Sequence, residues 1–90
     1  MPTVHLLIKG KVQGVFYRAT AKEEADHLGL SGWVKNTAEG HVEAVASGTK
    51  EALDQFVAWC KKGPRRAVVT AVDVVPLPEK KFDRFSVIRG

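Results

Sequence analysis

The stretch Gly10-Lys-Val-Gln-Gly-Val-Phe-Tyr-Arg18 holds the residues best suited to chemistry. It joins an apolar run, Val4–Ile8, to a segment with helical spacing, Ala19–Leu28. Gly10 and Gly14 flank the change from strand to helix. The first N–H groups of a helix have no intrahelical partner, and the helix dipole adds partial positive charge there. The backbone N–H groups of Gln13, Gly14, Val15, Phe16, Tyr17 and Arg18 are therefore expected to cradle a small dianion such as phosphate. Gly14 would let the backbone approach without a Cβ in the way. Arg18 adds a planar guanidinium that can hold two phosphoryl oxygens at once, which a lysine does less well. The same residues also suit an ordinary strand-to-helix turn with a surface arginine, and the local pattern leaves both readings open.

A second element is Gly32-Trp-Val-Lys-Asn36-Thr37. Asn is a common turn residue, so Asn36 could simply begin a hairpin. If the fold brings it to the loop, its carboxamide offers a donor and an acceptor that would hold a water beside a bound phosphoryl group. A covalent route is disfavoured, because Gly10–Arg18 contains no Cys, Ser, Asp or His. His5, His27 and His41 adjoin neither motif and are expected in surface or packing roles. Scattered histidines and a single cysteine, Cys60, offer no metal-ligand spacing, so no metal is expected.

The elements that must position these residues follow from periodicity. Val4–Lys11 reads as a strand. Tyr17, Ala21, Ala25 and Leu28 share one helix face, and Gly29 is placed to end that helix. Gly32–Thr37 and His41–Val45 read as strands of a hairpin around Ala38-Glu39-Gly40. Thr49 is a candidate N-cap for a second helix, whose apolar face is Leu53, Phe56, Val57 and Cys60. Lys61-Lys62-Gly63-Pro64 stops it. Val68–Val75 reads as a strand that Pro76 and Pro78 break, and Phe85–Ile88 as a short fifth strand. The expected class is α+β, a ferredoxin-like βαββαβ two-layer sandwich. It has an antiparallel sheet, two helices on one face and a short extra C-terminal strand.

Ninety residues suggest one domain over positions 1–90. Fourteen Lys and Arg against ten Asp and Glu give a net charge of +4, which favours anionic ligands without choosing among them. No apolar run approaches the roughly 18 residues of a membrane span, and no secretory leader is evident. A cytoplasmic protein without membrane contact is expected. Cys60 cannot form an internal disulfide and is expected as a small buried apolar residue.

Gly10-x-Val-Gln-Gly-Val-x-x-Arg followed by Gly-Trp-Val-x-Asn-x-x-x-Gly at positions 32–40 resembles the acylphosphatase family. Gly63-Pro64 and the final Phe-Ser-Val-Ile run are also similar, so the resemblance covers essentially the whole chain. It implies a small ferredoxin-like enzyme that hydrolyses the carboxyl–phosphate bond of acyl phosphates with no metal or organic cofactor. It implies that Arg18 binds the phosphate, that the backbone of Gln13–Arg18 forms the cradle, and that Asn36 orients the attacking water. Thr20 departs from the aromatic expected there in many members, with packing of the first helix the expected consequence.

Physical chemistry agrees that so few residues suffice. An acyl phosphate has a good carboxylate leaving group. The protein need only place the phosphoryl group, spread its charge and align a water opposite the leaving oxygen. Inorganic phosphate is expected as product and competitive inhibitor, and a monomer as the working form. Two rival classes share the fold. One is a non-catalytic anion-binding module, which would have no use for Asn36. The other is an RNA-binding module, which would stack bases on aromatics of its middle strands, yet His41–Ala46 carries none.

Overall fold

The computed structural model describes residues 1–89. The element order is β1 (Thr3–Lys11), α1 (Tyr17–His27), β2 (Ser31–Asn36), β3 (Val42–Ser47), α2 (Lys50–Lys62), β4 (Val68–Leu77) and β5 (Phe85–Ile88). The five strands form one sheet in the order β4-β1-β3-β2-β5. The first four pair antiparallel, as the βαββαβ plan requires. β5 is added beside β2 and runs parallel to it, a departure from an all-antiparallel sheet.

Alternation along the strands sorts side chains to two faces. Leu6 and Ile8, Val34, Val42, Ala44 and Ala46, and Phe85 are buried on the face that the helices cover. Tyr17, Ala21 and Ala25 of α1 and Leu53, Phe56 and Cys60 of α2 close the core from above. Cys60 is buried as expected, and burial pushes its thiol up to about 12. Trp59 packs on Tyr17 and Phe56. The open face carries His5, whose Nε2 lies 2.7 Å from Glu43 Oε2, and Lys35 beside the same carboxylate. The hydrogen bond to His5, with Lys35 assisting, holds the Glu43 carboxyl below its usual range.

The α2 signals act as the sequence implies. Thr49 accepts a hydrogen bond from the Ala52 N–H, and Gly63 ends the helix at φ 69°. The last four carbonyls of a helix lack intrahelical partners. The Trp59 carbonyl accepts from the Gly63 N–H, and the Cys60 carbonyl accepts from the Tyr17 hydroxyl at 2.7 Å. Tyr17 thereby ties the start of α1 to the end of α2. Tyr17→Phe leaves a buried carbonyl without its donor and is expected to cost about 1 kcal/mol, read from urea denaturation.

β4 does not stop at Pro76. It continues through Pro76 to Leu77 because it is an edge strand, where the missing N–H need not face a neighbour. Among the described residues, no helix is long and apolar enough to cross a membrane.

Candidate active site

The site begins where β1 ends. The β1–β4 register shifts between Lys9 and Gly10, a bulge that re-aims the chain. A Cβ on Gly10 would collide with the Val68 carbonyl, so β4 can pack this closely only against glycine. Gly10 is therefore a strand residue at a close approach, not a member of the turn. The turn runs from Val12, which is buried, to Phe16, the N-cap of α1.

Within that turn the side chains alternate in direction. Val15 packs against the core and Tyr17 is buried, whereas Gly14 and Phe16 face outward. Gly14 has φ 73° and Phe16 has φ 62°. The left-handed conformation costs a bulky residue about 1–2 kcal/mol. A left-handed residue next to a right-handed one turns successive N–H groups toward a common point, a concavity suited to anions. The N–H groups of residues 13–16 donate to no backbone acceptor among the described residues. Those of Tyr17 and Arg18 lie in the first turn of α1, where none has an intrahelical partner. Thr20 reaches back to this point. Its hydroxyl donates to the Phe16 carbonyl at 2.7 Å, so it acts on the loop itself and not only on helix packing.

Gln13 fixes the loop to the hairpin. Its Nε2 donates to the Thr37 carbonyl at 2.9 Å and to the His41 carbonyl at 2.8 Å. Those carbonyls flank the turn that follows Asn36. The loop and Asn36 are thus held together by one side chain. Asn36 pairs with Val42 across β2 and β3 and lies two residues beyond the fully buried Val34, which places it on the helix-covered face. Its Oδ1 is buried and accepts no hydrogen bond from the protein.

These pieces enclose a cavity of about 440 Å³, lined by Val12, Gly14, Phe16, Arg18, Ala19, Asn36, Val87 and Arg89. Arg18 and Asn36 therefore share one pocket. Of the six expected cradle residues, Gly14, Phe16 and Arg18 line it; Gln13, Val15 and Tyr17 belong to the same loop but do not. Arg18 donates from Nη1 to the Ile88 carbonyl over a long 3.3 Å, which steadies the guanidinium against the end of β5. It forms no ion pair among the described residues.

Sequence reasoning missed the contribution of β5. Val87 and Arg89 line the pocket, and Ile88 anchors Arg18. The available signal was alternation, since Phe85 and Val87 face the core and residue 89 follows on the same side. Pairing of Lys35 with Ile88 brings residue 89 level with Asn36 one step on. The histidines need one correction. His41 does adjoin the Asn36 hairpin, since its carbonyl accepts from the Thr37 N–H at 2.9 Å. Its side chain does not line the pocket, and no other His, Asp, Glu, Ser or Cys lines it. Among the described residues, no three His, Cys, Asp or Glu side chains converge as metal ligands would.

The arrangement offers cationic and N–H donors for a dianion, a buried acceptor beside them, and no side-chain nucleophile. Gly14→Val tests the backbone part. A Cβ at Gly14 meets no protein atom within 4 Å, so the protein leaves it room; the strain comes from a β-branched residue at positive φ, and the Cβ would stand in the pocket wall. We expect KM for an acyl phosphate to rise roughly tenfold in steady-state assays, with a loss of stability of about 1–2 kcal/mol.

The sequence profile of the acylphosphatase family matches residues 4–87. An acylphosphatase from Methylococcus capsulatus is 48% identical over 90 residues, spanning 99% of this chain and 98% of its own length. The crystal structure of acylphosphatase from Bacillus subtilis superposes with a TM-score of 0.95 at 37% identity, over 99% of this chain and 100% of that one. An acylphosphatase from Coxiella burnetii gives 0.94 at 36% identity, over 97% and 92% of the two chains. These likenesses favour an enzyme over a non-catalytic anion-binding or RNA-binding module.

Proposed function

Because the chain belongs to the acylphosphatase family and hydrolyses acyl phosphates, we propose that Arg18 and Asn36 carry the reaction in the pocket between α1, β2 and β5. Arg18 and the backbone N–H groups of Gln13, Gly14, Val15, Phe16, Tyr17 and Arg18 bind the phosphoryl oxygens. Asn36 accepts a hydrogen bond from a water and holds its oxygen toward phosphorus. The water oxygen forms a bond to phosphorus as the bond to the acyl oxygen breaks. The electron pair leaves with the carboxylate, and a phosphoryl oxygen of the substrate takes the water's proton.

The observation that carries this reading is that Arg18 and Asn36 line one pocket in which no side-chain nucleophile stands. Donors aimed at developing charge and a fixed nucleophile supply most of what phosphoryl transfer needs, so the reaction proceeds without a metal.

We place the enzyme in the cytoplasm as a monomer that binds neither nucleic acid nor membrane. The experiment for the site is inhibition. Inorganic phosphate should compete with substrate in the wild type, and Arg18→Ala should weaken that inhibition at least tenfold, since charge-assisted contacts are the strong ones. Undiminished inhibition in the variant would remove Arg18 from the phosphate seat.

A further inference from the structure

Phe16 combines two features that the fold does not need. It holds a left-handed backbone, which bulky residues avoid, and its side chain is 80% exposed. It makes no side-chain cap to α1. Yet it lines the cavity that contains Arg18 and Asn36. Backbone outliers that the surrounding structure enforces cluster at functional sites, and here Thr20 and the helix both hold the Phe16 carbonyl.

Depth in the pocket assigns the ring a direction. Asn36 Oδ1 is buried, so it belongs to the floor, and Phe16 stands at the mouth. In-line displacement places the attacking oxygen and the leaving oxygen on opposite sides of phosphorus. A water held at the floor by Asn36 therefore sends the acyl group toward the mouth. There it meets the exposed Phe16 ring, with Ala19 beside it in the pocket lining. A cavity of about 440 Å³ leaves room for more than a phosphoryl group.

We propose that Phe16 is the acyl-group contact of this enzyme and that it selects acyl phosphates with a flat apolar acyl group over those with a small one. This rests on the phosphoryl seat and the Asn36 water proposed above. A stacked or edge-on aromatic pair at the partly open mouth gives roughly three- to tenfold in discrimination.

The test compares kcat/KM for benzoyl phosphate with that for acetyl phosphate in the wild type, Phe16→Asn and Phe16→Gly. Both replacements tolerate positive φ, so the loop keeps its shape, and Asn adds less backbone freedom than Gly. The ratio is the readout, because damage to the backbone cradle scales both substrates alike. We expect the benzoyl-to-acetyl ratio to fall about three- to tenfold in both variants. An unchanged ratio would overturn the proposal, whatever happens to the absolute rates. Failure of the underlying site would look different: inorganic phosphate would not compete with either substrate, and the inference would fall with it.

Discussion

Asn36→Ala is expected to lower kcat by at least about 10²-fold and to leave KM within about twofold. In the proposed mechanism the side chain meets the nucleophile and not the phosphoryl oxygens, so ground-state binding would not depend on it. Its loss frees the water to sample positions out of line with the leaving oxygen. Misplacement by a fraction of a bond length is enough for a large rate loss. Asn36 lies at the end of β2 outside the apolar core cluster, so the variant should keep a urea midpoint close to that of the wild type. Asn36→Asp separates geometry from charge. It keeps the acceptor but sets a carboxylate beside the phosphoryl group, and should be slow for that reason.

Arg18→Ala has the second large effect and a different signature. In the proposed site it would remove a guanidinium from both the bound substrate and the transition state. KM rises and kcat falls together, with a combined loss in kcat/KM of about 10²–10³-fold. Arg18→Lys recovers little of this. Lysine keeps the charge but lacks the planar fork that meets two phosphoryl oxygens. Steady-state kinetics on the three proteins at one ionic strength distinguishes these patterns.

How much of this was legible in the sequence depends on where each signal lies. α2 was readable end to end, because a Thr cap, an apolar stripe and a Gly-Pro stop all point the same way. α1 begins at Tyr17, two residues before the helical reading over Ala19–Leu28, since its N-cap is Phe16 and carries no Ser, Thr, Asp or Asn signal. A left-handed phenylalanine has no sequence signature at all. Pro76 suggested a strand end, but edge position cannot be read before the sheet order is known. The residues of β5 were identified, yet four residues do not say which strand they join or in which direction. For that reason Val87 and Arg89 were absent from the expected site.

The candidate site itself was half visible. The local pattern of Gly10–Arg18 suits an anion seat and an ordinary turn alike, and Asn36 reads as a turn residue or, if it meets the loop, as a carboxamide that could hold a water. The link between them is long-range: Gln13 bonds two hairpin carbonyls more than twenty residues away. Nothing local encodes that contact. Gln13 was expected in the cradle through its backbone, and its side chain turned out to join the two halves of the pocket. Gly10 reads correctly as part of the first strand, but its role there, to admit the Val68 carbonyl beside β1, depends on a strand nearly sixty residues away.

The most direct test of the central claim is hydrolysis of benzoyl phosphate, followed by ultraviolet absorbance with EDTA present, in wild type and Asn36→Ala side by side. Rapid wild-type turnover that EDTA leaves intact is expected, with a loss of about 10²-fold or more in a folded Asn36→Ala protein. Equal turnover by the two proteins, or wild-type activity that EDTA abolishes, would contradict that claim.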